Sequence, residues 1–265
     1  MATTKAVSAP MSLEGRMTLM EHMKELRNRL IKVAIAVVIG VIAAFFLYFR
    51  IFDFLLEPNK QICREGAESL VKCGQLLNTD PLEGLTVRIQ VATYGGLAFA
   101  MPVIMWQFWK FITPGLYPHE KRYAIPFVAS AVVLFVLGAG IAYWTLPQAL
   151  DWLQSIGGDN LSQAYSPKKY FQLIVYMMLA FGAGFEFPIV LVFLQMVGVL
   201  STDTLRKYRR YAIVGIVILV AVATPSGDPI SMAALSIPMC LFYEISILVG
   251  RIRNRRRTKA AAAAA

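Results

Sequence analysis

Three carboxylates stand where their neighbours restrict what they can do. Glu25 lies in His22-Met23-Lys24-Glu25-Leu26-Arg27-Asn28-Arg29-Leu30, four residues before Arg29, the favourable order for a helical ion pair. Glu120 closes a run of turn formers and aromatics, Phe111-Ile112-Thr113-Pro114-Gly115-Leu116-Tyr117-Pro118-His119-Glu120-Lys121-Arg122. Each reads either as an interfacial ion pair or belt residue contributing only ~0.3–0.5 kcal/mol, or as an acceptor for a cationic ligand. Two such acids on one membrane face suit a paired-guanidinium ligand, because arginine presents a planar fork to a carboxylate and lysine does not. Glu186 differs: it falls inside an apolar run, Phe181-Gly182-Ala183-Gly184-Phe185-Glu186-Phe187-Pro188. At that depth a carboxylate costs at least ~2.5–3.5 kcal/mol, so it should face a polar cavity or be protonated. Pro188 has no amide hydrogen to donate and clashes with the Gly184 carbonyl, which predicts a kink at the acid, with Gly182 and Gly184 making room.

Catalytic chemistry is hard to build from the remaining residues. Cys63, Cys73 and Cys240 match no metal-binding spacing, and His22 and His119 are too far apart for a zinc pair. No His-Glu-x-x-His, no Ser/His pair within the apolar runs and no second intramembrane aspartate to form a dyad with Asp228 is present, so we expect no enzyme activity, no metal and no cofactor.

The elements that position these acids follow from composition. Of 265 residues 57% are hydrophobic and 16% charged, against about 25% charged in soluble domains. The solvent is therefore a bilayer, which excludes disordered, collagen-like and disulfide-scaffold classes. Apolar runs at residues 30–49, 89–109, 124–146, 170–200, 211–223 and 230–250 predict six transmembrane helices in an all-α fold. Thr18 followed by Glu21 is a capping-box pattern for a helix leading into the first. The fourth run is long, whereas the fifth, 13 residues or roughly 20 Å, is too short for a full bilayer core. Thr224-Pro225-Ser226-Gly227-Asp228-Pro229 breaks the last two runs into a hairpin, whose tip could bring Asp228 to the cavity of Glu186. Glu244 would pair with Arg251 or face a neighbour.

The net charge of +10 is a topology signal more than a nucleic-acid one. Nineteen of the 26 Lys and Arg lie at residues 5–32, 110–122, 206–210 and 251–259, which predicts both termini on the cytoplasmic side. The loop from Arg50 to Arg88 then faces outward with Cys63 and Cys73, a candidate disulfide or two unpaired thiols; Cys240 serves packing. Residues 1–17 read as a flexible segment, 18–257 as one integral membrane domain, and 258–265 as a disordered or artificial tail.

Taken together, His22-x-x-Glu25-Leu26-Arg27-x-Arg29-Leu30, Phe111-Ile112-x-Pro114-x-Leu116-Tyr117-x-His119-Glu120-x-Arg122, Phe185-Glu186-x-Pro188 and Thr224-Pro225 before Asp228 make the chain similar to the TatC family. TatC is the multispanning receptor subunit of the twin-arginine protein translocase, and the resemblance runs from about Leu19 to Arg257. It implies a concave, glove-like arrangement of six helices in the bacterial plasma membrane. Glu25 and Glu120 would accept the arginines of a twin-arginine signal peptide, with Arg27, Phe111 and Arg122 shaping the site. Glu186 and Asp228 would be the family's membrane-embedded and hairpin acids. TatA- and TatB-type single-span partners would dock along the fifth and sixth helices near Thr224 and Met232. The resemblance also implies self-assembly into a receptor oligomer in membrane lipid, and export of folded proteins driven by the proton gradient; no nucleotide-binding loop is present. The rival reading is a secondary transporter coupled to protons through Glu186, but no internal repeat supports it.

The topology is directly testable. A protease-sensitive tag in any of the four basic segments should survive protease added from outside, and cleavage there would overturn the N-in, C-in arrangement.

Overall fold

The computed structural model describes residues 19–65, 76, 80–112, 124–157, 165–196, 198–225 and 227–264. Among them the ordered elements are all helices: α1 (Leu19–Phe46), α2 (Tyr48–Glu65), α3 (Glu83–Ile112), α4 (Ala124–Gly157), α5 (Pro167–Phe185), α6 (Phe187–Met196), α7 (Thr202–Lys207), α8 (Arg209–Ala223) and α9 (Pro229–Ala264). Five segments are long and apolar enough to span a bilayer, within α1, α3, α4, the α5–α6 pair and α9. The sixth apolar helix, α8, has 15 residues, or roughly 22 Å of length.

Three boundaries differ from the sequence reading. The segment read as a loop from Arg50 begins as α2, whose apolar residues recur on one side and bury it against the bundle; its charged positions hid it from a search for continuous apolar runs. The fourth run, residues 170–200, is two helices and a turn: α5 stops at Phe185, α6 ends at Met196, and Gly198 adopts φ 83°. The last helix continues past the span to Ala264. Cys73 and the side chain of Cys63 lie outside the described residues, as do Thr18, Glu120 and Arg122.

Lipid offers no hydrophobic drive for helices to associate, so they meet where small residues let backbones touch. α1 and α3 run antiparallel and cross at Gly40 and Gly96, where a Cβ on Gly40 would fall 2.4 Å from the Gly96 carbonyl oxygen. α4 and α5 cross the same way: a Cβ on Gly138 would lie 2.6 Å from the Phe181 oxygen, and one on Gly182 2.5 Å from the Phe135 ring. α9 threads the centre. Its residues Leu235, Met239, Tyr243 and Ile247, spaced by four, are all buried and pack with Phe181 and Phe185 of α5. The opposite faces are apolar and open, as at Ile39 on α1 and Val222 on α8, which suits lipid contact.

α2 is held across the end of the bundle by side chains that reach its own carbonyls. Tyr143 Oη donates to the Phe54 oxygen at 2.7 Å and Tyr170 Oη to the Leu55 oxygen at 3.0 Å. The Phe54 and Tyr143 rings stack at 4.4 Å, and Phe52 meets Phe171 at 4.8 Å.

The glycine contacts generate a paired prediction for thermal unfolding in detergent. Gly40→Val should lower stability by about 1–3 kcal/mol, since backbone stands in the way of the new side chain. Gly140→Ala, in α4 with nothing within 4 Å of the added atom, should be neutral or stabilising by up to about 1 kcal/mol.

Candidate functional site

His22, Glu25 and Arg29 recur at i, i+3 and i+7 and form the half-buried side of α1, while Lys24, Leu26, Arg27 and Asn28 are exposed. That side faces the end of α3, because the antiparallel crossing at Gly40 and Gly96 brings the start of α1 beside the end of its partner. The His22 ring stacks on Phe111 at 4.5 Å between centroids, one helical turn from Glu25. Arg29 Nε donates to Glu25 Oε1 at 3.1 Å, and its Nη2 contacts the same oxygen. Glu25 Oε2 is buried and has no hydrogen-bond partner among the described residues. One carboxylate oxygen is thus anchored and the other is unspent.

The structure therefore sets Phe111 against His22, one turn from Glu25, and pairs Glu25 with Arg29. Arg27 lies about 200° around α1 from Glu25 and is exposed. Glu120 and Arg122 belong to the connection between α3 and α4, outside the described residues.

Glu186 sits at the break between α5 and α6. Its amide donates to Ala183 three residues back at 3.1 Å, and its carbonyl accepts from Val190 at 3.1 Å. The α-helical ladder tightens at the acid and resumes beyond it, as Pro188 demands. Glu186 lines a cavity of about 410 Å³ and, among the described residues, is the one ionisable group in its wall. Ile104, Met105, Phe108 and Trp109 come from α3, Phe127, Val128 and Ala131 from α4, and Ile189, Val190, Phe193 and Leu194 from α6. Trp109 is buried and stacks on Phe127 at 4.1 Å, closing the wall from one side. Glu186 Oε1 is itself buried without a hydrogen bond among the described residues. Of the two alternatives the sequence left for this acid, a polar cavity or protonation, the first is not met: the cavity wall is aromatic and aliphatic. Gly182 and Gly184 do not leave space for it, because Phe135 and Leu235 fill the room they make.

Asp228 does not line that cavity. It is fully buried at the start of α9, where Oδ1 accepts from the Ser231 amide at 2.6 Å and Pro229 follows as the first helical residue. The preceding turn passes through Gly227 at φ 59°, a left-handed conformation that explains glycine there. Thr224 is buried and ends α8, its amide and hydroxyl both donating to the Val220 oxygen at 2.9 Å. Met232 is half-buried against the core one turn into α9. Of the two alternatives for Glu244, it faces a neighbour: it pairs with Arg209 of α8 at 2.7 Å, which ties the short helix to α9.

Glu83 escaped the sequence reading. It is buried in the first turn of α3, yet it caps another helix, accepting from the Lys168 amide at 3.1 Å and from Ser166 Oγ at the start of α5. Ser166-Pro167 announces a helix start, but a cap supplied from 83 residues away has no local signature.

These features define a multi-pass helical membrane protein with a half-buried carboxylate near the start of α1 and an acid facing an apolar cavity between α3, α4 and α6. The family model described as Sec-independent protein translocase protein (TatC) matches residues 21–238. The curated TatC of Aquifex aeolicus is 38% identical over 244 residues, covering 91% of this chain and 98% of the relative. That of Frankia casuarinae is 36% identical, covering 92% and 68%. A crystal structure of the twin-arginine translocase receptor TatC superposes with a TM-score of 0.71 at 37% identity, over 88% of this chain and 99% of that one. The chain belongs to the TatC family of protein translocase components, a membrane family and not one of enzymes.

The hairpin generates its own prediction. Asp228→Ala should cost about 1 kcal/mol of unfolding free energy through loss of the α9 cap, whereas Asp228→Asn, which keeps an accepting oxygen, should cost less; thermal unfolding of the two variants checks it.

Proposed function

We propose that this protein is the receptor subunit of a twin-arginine translocase in a bacterial plasma membrane, with both termini cytoplasmic. Its Glu25 receives a guanidinium of the Arg-Arg motif of a signal peptide, and Glu120 receives the other. The observation that carries this reading is the state of the Glu25 carboxylate. Arg29 orients it through Oε1, and buried Oε2 keeps an acceptor site with no partner among the described residues. A buried acceptor without a donor is costly, and an incoming guanidinium supplies the missing hydrogen bond with a charge. His22 and Phe111 form an aromatic platform one turn away on which a planar cation can stack.

Downstream of docking, the apolar cavity at Glu186 offers room for an inserted apolar segment, with the acid as its one polar anchor. Single-span partners of the TatA and TatB type would use the α8–α9 edge near Thr224 and Met232. The proton gradient would supply the energy, and copies of the chain would assemble into a receptor oligomer.

A photo-crosslinker at Phe111, offered cargo with Arg-Arg or Lys-Lys, tests the docking step. Crosslinking should fall roughly tenfold with the Lys-Lys cargo and in Glu25→Ala or Glu120→Ala. Yields unchanged in both alanine variants would overturn the assignment. Independently, Glu186→Leu should leave crosslinking at Phe111 intact while lowering transport; full transport by that variant would remove Glu186 from the later step.

A further inference from the structure

At the end of α3 opposite Phe111, Arg88 has an arrangement that packing alone does not explain. Its guanidinium lies over three rings of the α1–α2 corner, 4.4 Å from the centroid of Phe45, 5.3 Å from Tyr48 and 5.7 Å from Phe49. Nε is buried and makes no hydrogen bond, and no carboxylate pairs with Arg88 among the described residues. Of the described acids near this end, Glu83 caps α5, Asp80 accepts from the Leu82 amide at 2.9 Å, Glu57 pairs with Lys60 at 3.2 Å, and Asp53 is exposed on α2 and makes no ion pair with Arg88. Three π faces attract a guanidinium but leave its in-plane donors unused, and a half-buried cation retains a need for an anion.

Depth identifies that anion. The spanning part of α3 is Glu83–Phe111, 29 residues or roughly 43 Å, which exceeds a hydrocarbon core of about 30 Å by about 6 Å at each end. Arg88, five residues in, stands about 7.5 Å along the helix from Glu83, at the boundary between headgroups and acyl chains. Beside the cation, Phe46 and Phe49 are 80% and 68% exposed, an apolar surface next to a positive point. A ligand that matches both has a phosphate joined to hydrocarbon chains. The geometry points to a phospholipid site at the α1–α2–α3 corner, in which Arg88 donates to the phosphodiester while the acyl chains lie along Phe46 and Phe49. The rings of Phe45, Tyr48 and Phe49 are positioning residues that hold the guanidinium with its edge toward the lipid.

The test uses the full-length protein purified in detergent, with a photoactivatable residue in place of Phe46. Phosphatidylglycerol, phosphatidylethanolamine or diacylglycerol of the same acyl chains is added, and the adduct is read by mass spectrometry. Both phospholipids should label roughly ten times better than diacylglycerol, and Arg88→Gln should lose that advantage. Arg88→Lys should keep part of it, and Arg50→Gln, an exposed arginine two residues beyond Tyr48, should keep all of it. Millimolar inorganic phosphate should not compete. Equal labelling by diacylglycerol overturns the site in the unaltered protein, so a poorly folding Arg88→Gln does not protect the inference. An equal loss in Arg50→Gln, displacement by inorganic phosphate, or an adduct with a second protein chain in place of lipid also overturns it.

Discussion

Helices in hydrocarbon gain nothing from burying one apolar face on another that lipid cannot also supply, so this fold depends on where backbones can touch. The crossing of Gly40 on Gly96 sets the pairing of α1 with α3, and the contact of Gly138 with the Phe181 carbonyl sets that of α4 with α5. The positions of the functional groups follow from these crossings. His22 meets Phe111 because the two helices are antiparallel and in register at the glycines. The cavity at Glu186 is walled by residues of α3, α4 and α6.

Acids are scarce in this chain, and the structure divides them by task. Asp228, Glu83 and Glu244 each have a partner within the fold, the Ser231 amide, the start of α5 and Arg209 respectively. Glu25 and Glu186 each keep an oxygen that is buried and without a hydrogen bond among the described residues. An unmet acceptor in a low-dielectric setting is destabilising unless something arrives to meet it. Geometry thus separates acids with a polar partner at the helices they hold from those that keep an unbonded buried oxygen among the described residues. Arg88 is the cationic counterpart, a guanidinium set among aromatic rings with its buried Nε unbonded.

Much of this was legible in the residues. Long apolar runs, the Thr224–Pro229 break and the short α8 are consequences of hydropathy and turn chemistry. The interruption at Glu186 followed from Pro188, whose missing amide hydrogen acts at a fixed distance along the chain. α2 was missed for an equally physical reason: its helix is polar on one side, and one-sided burial leaves no continuous apolar run. The Arg251 partner considered for Glu244 was the nearest in sequence, but α8 brings Arg209 closer in space. The short fifth run suggested that the hairpin tip would bring Asp228 to the Glu186 cavity, but Asp228 is held at the start of α9, where it caps the helix.

By itself, then, the sequence determined the solvent, the helical class, the breaks in the helices and the motifs that carry family membership, because each depends on residues close along the chain. Only the tertiary structure decided which acids are spent and which are not. It brought Phe111 to His22, lined the Glu186 cavity with apolar side chains, capped α5 with Glu83 and surrounded Arg88 with rings. Those contacts join residues tens of positions apart, and their energies depend on burial and on the angle of approach. Neither quantity exists until the helices have packed.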